Sequence, residues 1–192
     1  MKETTPERSD EELAKLVQQG DGELFGVLMK RYEKKLLRYG RNFLSDPENI
    51  EDIVHDVFLK TYQNMKSFDC SQKFSSWIYR IAHNAFVNGL KKSIRSPLHF
   101  FDFDTLVSHP IYEDGAEEEK EQEETKRMID SCLGKLAPKY REIIVLFYFE
   151  EQGYKEIADI LQIPQGTVGV RLRRAKESLR KAYEESEKNH GK

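Results

Sequence analysis

The chain has 192 residues, 38% hydrophobic and 34% charged, with a formal net charge of −3. That balance suits one domain or two small ones, and no apolar run approaches the ~20 residues needed to cross a bilayer. Met1 to Asp10 is polar, unlike a signal peptide, and Cys70 and Cys132 stand far apart without CxxC spacing. Both features read as a cytoplasmic protein with two reduced thiols.

In chain order, Ser9-Asp10-Glu11-Glu12 is a capping-box start, followed by Leu13, Leu16 and Val17 at helical spacing. Gly20 closes that helix and Asp21 is placed to cap a second one. This second helix carries Leu24, Phe25, Leu28, Met29, Tyr32, Leu36, Leu37 and Phe43 in a long amphipathic pattern. After Ser45-Asp46-Pro47, where proline suits a first helical turn, a third helix holds Ile50, Ile53, Val54, Val57, Phe58, Thr61 and Tyr62. Its outer face is acidic: Glu48, Glu51, Asp52 and Asp56. A short loop, Phe68 to Ser75, leads into a fourth helix with Trp77, Ile78, Ile81, Ala82, Ala85, Phe86 and Leu90 on its apolar side. At this phase Trp77 reads as core rather than as a stacking platform. The fourth helix ends in a basic cluster of Lys91, Lys92 and Arg95, and Ser96-Pro97 closes the segment.

From Leu98 to Glu124 the periodicity fails. Between Asp102 and Glu124 there are ten acids against Lys120 alone, the composition of a tethering linker. Helical spacing returns near Thr125 with Met128, Ile129, Cys132 and Leu133. It restarts at Leu136-Ala137-Pro138 and runs through Ile143, Ile144, Leu146, Phe147 and Phe149. After Gly153, Ile157, Ile160 and Leu161 mark one side of a short helix. Gln162-Ile163-Pro164 breaks it, and Val168, Leu172, Ala175 and Leu179 form the apolar stripe of the next. Arg171, Arg173, Arg174, Lys176 and Arg180 fill much of the remaining circumference. Between Gly169 and Lys181, six bases face Glu177 alone, so the mean charge hides a basic surface. Two short helices with a tight turn, the second basic, match a DNA-reading helix-turn-helix. A helical hairpin with a solvated basic face shares the pattern. No stretch alternates at period two, so the expected class is all-α.

At this point the chain resembles the extracytoplasmic-function (ECF, group IV) sigma factors of the sigma-70 family, the promoter-recognition subunits of bacterial RNA polymerase. The first block of resemblance runs Asp52-Ile53-Val54-His55-Asp56-Val57-Phe58-Leu59-Lys60-Thr61-Tyr62, then Phe74 to Asn84 through Trp77-Ile78-Tyr79-Arg80. The second runs from Leu136-Ala137-Pro138-Lys139-Tyr140-Arg141-Glu142 to Ala175. The resemblance implies a region 2-like helical domain over 10–96, an acidic flexible linker over 97–124 and a region 4-like helix-turn-helix domain over 125–186. It implies that Asp52, Asp56, Phe58 and Leu59 dock on the clamp helices of the largest polymerase subunit. It assigns the −10 element to Phe68, Asp69, Lys73, Phe74, Arg80, Asn84, Lys91 and Lys92. The −35 element falls to Gln165, Thr167, Arg171, Arg173, Arg174 and Lys176. Chemically this is coherent: an acidic face suits a basic partner, an unstacked base needs a pocket, and a strand needs cations.

The sequence departs from the family at Gly169-Val170, where a basic or polar pair is usual, and at Gln162, a turn position where glycine is frequent. Core polymerase (clamp helices and flap region) and promoter DNA are the implied partners, with no membrane insertion. An anti-sigma factor covering both domains, common in the family, is left open by these residues. The linker resembles a segment that threads toward the polymerase cleft, where its acids would imitate nucleic acid; a solvated spacer has the same composition. Glu51, Asp52, His55 and Asp56 share spacing a metal could use, but any solvated acidic helix does too. No metal, cofactor or catalytic constellation is expected. On the residues alone two rivals stand: a polymerase-independent helix-turn-helix regulator, and a metal-dependent nuclease using the 51–56 cluster.

Overall fold

The computed structural model describes residues 8–95 and 120–190. Among the described residues every regular element is helical. The N-terminal group comprises α1 (Asp10–Gln18), α2 (Phe25–Gly40), α3 (Pro47–Gln63) and α4 (Phe74–Arg95). The C-terminal group comprises α5 (Lys120–Gly134), α6 (Pro138–Ile144), α7 (Tyr154–Leu161) and α8 (Gln165–His190). Most of the proposed linker, together with Ser96 and Pro97, lies outside the described residues.

Local chemistry accounts for most boundaries. Ser9 and Glu12 form a reciprocal capping box on α1: each side chain binds the other's backbone amide, at 3.2 and 2.9 Å. Asp46 caps α3 and Pro47 occupies its first turn. Three expectations need correction. Asp21 makes no side-chain cap; a 3-10 turn, Gly22–Leu24, leads into α2 instead. The second helix ends at Gly40, so Phe43 packs from the turn beyond it. The helix expected near Thr125 begins at Lys120, inside the acidic stretch. Glu, Gln and Lys are good helix formers, and acids favour a helix N-terminus.

The N-terminal core is aromatic. Tyr32, Tyr39, Phe43, Phe74, Tyr79 and Phe86 are buried, with neighbouring rings 5.3–6.4 Å apart, mostly edge to face. Gly40 lets α2 approach α4: a Cβ there would lie 2.6 Å from the Phe86 ring and 2.7 Å from Ile50. The C-terminal core is aliphatic, built from Ile143, Ile144, Val145, Leu146, Ile157, Ile160, Leu161, Val168 and Leu172. A π-helical stretch, Val145–Phe149, follows α6. Arg141 is buried and donates to the carbonyls of Leu133, Gly134 and Leu136 at 3.0, 2.9 and 3.3 Å. It thereby supplies donors to carbonyls at and just beyond the end of α5, where Leu133 also accepts the Leu136 amide at 3.1 Å. Helix α4 packs on α7, so the two groups share a seam.

Candidate polymerase and nucleic-acid interface

Three surfaces can be built upward from these helices. The first is the outer face of α3. Val54, Val57 and Phe58 turn inward, which leaves Glu48, Glu51, Asp52, His55 and Asp56 exposed on the other side. Leu59 and Tyr62 stand 49% and 50% exposed beside the acids, giving a patch both charged and apolar. Phe58 is not on this patch; it is 5% exposed and packs edge to face on Phe25. Its place in the motif marks a helix phase whose ring faces the core.

The second surface is the loop before α4. Gln18 of α1 pins it, donating from Nε2 to the carbonyls of Met65 and Phe68 at 2.9 and 2.7 Å. Glu11 accepts the Phe74 amide at 2.9 Å, a cap supplied from far along the chain. Asp69 accepts the Ser71 amide at 2.9 Å, and these hydrogen bonds hold its carboxyl below the usual range. Two expected contact residues are interior: Phe68 and Phe74 are 5% and 0% exposed, with Phe68 stacked 4.8 Å from half-buried Trp77. These rings support the loop from below. Asp69, Lys73, Arg80, Asn84, Lys91 and Lys92 are exposed, in a line from the loop along α4.

The third surface is the helix-turn-helix of α7 and α8. Gln162 turns the chain in the left-handed region, at φ 53° and ψ 46°, where glycine is the unstrained choice. The buried stripe of α8 is Val168, Leu172 and Ala175. At 100° per residue Arg173 and Arg174 fall on the opposite face, and both are exposed, as are Gln165, Thr167 and Val170. Arg171 is half-buried. Lys176 is held over the Phe147 and Tyr148 rings, 5.8 and 5.4 Å from their centroids. Its hydrogen bond with Tyr148 raises its pKa. The Tyr154 ring lies 3.7 Å from where a Cβ at Gly169 would be, an ordinary van der Waals contact, so the packing there does not require glycine.

The seam between the groups was not visible in the sequence. Glu150 has no exposed side-chain surface. Its Oε1 accepts from Arg38 Nε and Nη2 at 3.0 and 2.7 Å, and its other oxygen accepts the Tyr79 hydroxyl. Glu142 Oε1 accepts the Tyr39 hydroxyl at 2.6 Å and pairs with His83 Nδ1 at 2.7 Å. Burial pushes both phenols well above their ordinary pKa, and the neighbouring carboxylates push further. Ser75 donates to Gln152 at 3.3 Å, and Lys73 pairs with Glu156 at 2.9 Å. Beside that pair a cleft of about 500 Å³ is lined by Asp69, Gln72, Ser76, Trp77, Arg80 and Lys155, among others.

Two helical groups, one with an acidic, part-apolar docking face and a pinned loop, the other with a basic helix-turn-helix, define a bipartite DNA-binding transcription factor. Comparison with known proteins makes the class specific. Residues 28–95 match the family model for sigma-70 region 2, and 126–179 that for sigma-70 region 4. The ECF RNA polymerase sigma factor SigW of Bacillus subtilis (strain 168) is 35% identical over 176 residues, covering 87% of this chain and 92% of the relative. The ECF sigma-E factor of Escherichia coli (strain K12) is 30% identical over 178 residues, covering 89% and 92%.

Two solved structures share the fold. CnrH in complex with the cytosolic domain of CnrY has a TM-score of 0.65 at 24% identity, covering 90% of this chain and 95% of that one. The sigma factor RpoE in complex with the anti-sigma factor NepR from Bartonella quintana has 0.66 at 21%, covering 83% and 96%. The chain belongs to the ECF sigma factors of the sigma-70 family. It is a non-catalytic RNA polymerase subunit that directs promoter-specific transcription initiation, which sets aside the regulator and nuclease readings. No described helix is long and apolar enough to cross a membrane.

Proposed function

We propose that the family's division of labour falls on this chain as two domains, 10–96 and 125–186, acting in the cytoplasm where polymerase and promoters are. The outer face of α3, with Asp52, Asp56 and Leu59, docks on the clamp helices of core polymerase. Supporting this is the coincidence of uncompensated carboxylates with 49% exposed Leu59 on one helix side. That mix suits a basic, partly apolar partner. Phe58 contributes by holding α3 in place.

The loop at Asp69 to Lys73 takes an unstacked base of the −10 element, while Arg80, Asn84, Lys91 and Lys92 follow the opened strand. The loop is pre-organised by Gln18 and Glu11, so little ordering entropy is lost when a base enters. Helix α8 enters the major groove of the −35 element. Arg173, Arg174 and Gln165 face the bases and phosphates, with Thr167 and Arg171 at the flanks. Lys176 takes a positioning role, given its place over the aromatic pair. The flap region of polymerase holds the C-terminal domain, and an anti-sigma factor is a further partner, as in the RpoE complex above.

Co-elution with core polymerase tests the docking face. Asp52→Lys with Asp56→Lys is expected to abolish it while helicity by circular dichroism stays unchanged. Retained co-elution of the double reversal would move the docking site elsewhere.

A further inference from the structure

The outer side of α8 is basic, yet an apolar side chain, Val170, stands at its centre. We propose that Val170 is a specificity-determining residue for promoter choice, its methyls contacting the C5-methyl of a thymine in the −35 element. This deepens the reading above and rests on α8 lying in the major groove of that element.

Helix geometry fixes where Val170 points. It comes two residues after buried Val168, about 200° around the helix at ~100° per residue. It therefore faces almost directly away from the stripe of Val168, Leu172 and Ala175, and it is 45% exposed. On the same count exposed Arg173 lies about 60° to one side of it and exposed Arg174 about 40° to the other. Val170 sits in the second turn, and the N-terminal residues of a recognition helix are those that reach base edges. One turn earlier on the same side is exposed Gly166. The fold requires no glycine there: an added Cβ would meet nothing within 4 Å, and glycine weakens a helix relative to alanine. Gly169, beside Val170, is equally dispensable to the packing, since its Cβ would make only an ordinary contact with Tyr154. What the two glycines supply is a low helix surface around Val170, over which a partner can approach the backbone closely.

Chemistry then selects the base. Valine carries no donor or acceptor, and the C5-methyl of thymine is the apolar group that base edges show in the major groove. Against the polar edge of guanine, adenine or cytosine, Val170 would displace water without replacing its hydrogen bonds. It thus favours thymine and disfavours the alternatives. In a helix valine is held largely to one χ1 rotamer, so its methyls are presented with little entropy left to lose. The flanking guanidiniums of Arg173 and Arg174 set the register through guanine edges or phosphates. The base between them is read by its methyl.

Promoters selected by holoenzyme, core polymerase with the full chain, from a duplex library randomised over both elements provide the probe. In the selected −35 element each thymine, on either strand, is replaced singly by deoxyuridine, which lacks only the methyl. Transcription at subsaturating holoenzyme is expected to fall about fourfold at one thymine, the worth of burying one such group. In Val170→Ala the two templates should become equivalent, while Val170→Thr, which keeps one methyl, should retain part of the preference. Each variant is compared with itself on two templates, so a loss of folded protein cancels from the ratio. Gly166→Ala should weaken initiation severalfold at an unchanged or raised melting temperature, which a merely structural role would not do. A selected −35 element without thymine, deoxyuridine harmless at every position, or a loss that survives in Val170→Ala overturns the role of Val170. A fully active Gly166→Ala overturns the close approach. Initiation indifferent to a scrambled upstream element would instead overturn the placement of α8, so the two readings fail separately.

Discussion

The two helical groups bury themselves by different means, and the difference shows where they join. The N-terminal group is held by stacked and edge-on rings, the C-terminal group by branched aliphatics around α6, α7 and α8. Aliphatic side chains end in methyls, whereas tyrosines carry a hydroxyl that must find a partner. Tyr39 and Tyr79 thus belong to two structures at once. Their rings fill the N-terminal core and their hydroxyls serve the carboxylates of the other group. The lesson is that an aromatic core can present polar handles to a neighbouring domain without surrendering apolar packing.

Substitutions can separate the two roles. The largest effect is expected for Phe86→Ala, about 3–5 kcal/mol of stability, since the ring is fully buried against Tyr39 and Phe43. Urea unfolding followed by Trp77 fluorescence, the single tryptophan of the chain, would report it in the N-terminal group. Next comes Arg141→Met, expected to cost about 3 kcal/mol by removing the guanidinium donor from the Gly134 and Leu136 carbonyls and from that of Leu133, which keeps the Leu136 amide. It should lower the melting of the C-terminal helices and leave the Trp77 signal nearly native; a Trp77 transition shifted equally would mean the groups unfold as one.

Tyr79→Phe keeps the ring and removes the hydroxyl from Glu150. A loss of about 1–2 kcal/mol confined to the seam is expected, visible as increased amide exchange at α7 with α2 unaffected. Ser9→Ala should cost about 1 kcal/mol through the α1 cap. At the small end, hydrogen bonding to Lys73 holds Glu156 below its ordinary pKa of 4.5. Its contribution is complete above that value and fades as pH falls through the lowered one. Lys73 is 61% exposed, so the effect should stay under about 1 kcal/mol. Scattering radii at pH 7 and pH 3.5 for wild type and Glu156→Gln would measure it.

The sequence carried the helices well and their meeting poorly. The capping box at Ser9, the proline at 47 and the 3.6-residue stripes of α3, α4 and α8 are local signals, and the structure follows them. Gln162 was visible as an unusual turn residue, and its left-handed φ shows the cost. Which side a ring faces was less legible: Phe58, Phe68 and Phe74 sit at contact positions by motif but point inward. The polar pairing across the seam was not legible at all. Its partners lie 59 to 112 residues apart, and Glu142 and Glu150 merely flank an apolar run. Long-range polar pairing leaves no periodicity. The one available signal was two carboxylates bordering a segment otherwise too hydrophobic to face water.

The most direct test of the whole account is transcription from a cognate promoter by core polymerase and the purified chain. The account predicts start sites that depend on both upstream elements, are lost with Asp52→Lys and Asp56→Lys, and are weakened at the upstream element by Arg173→Ala. Transcription unaffected by all three substitutions, or specific duplex binding by the chain alone with no start sites from core, would contradict it.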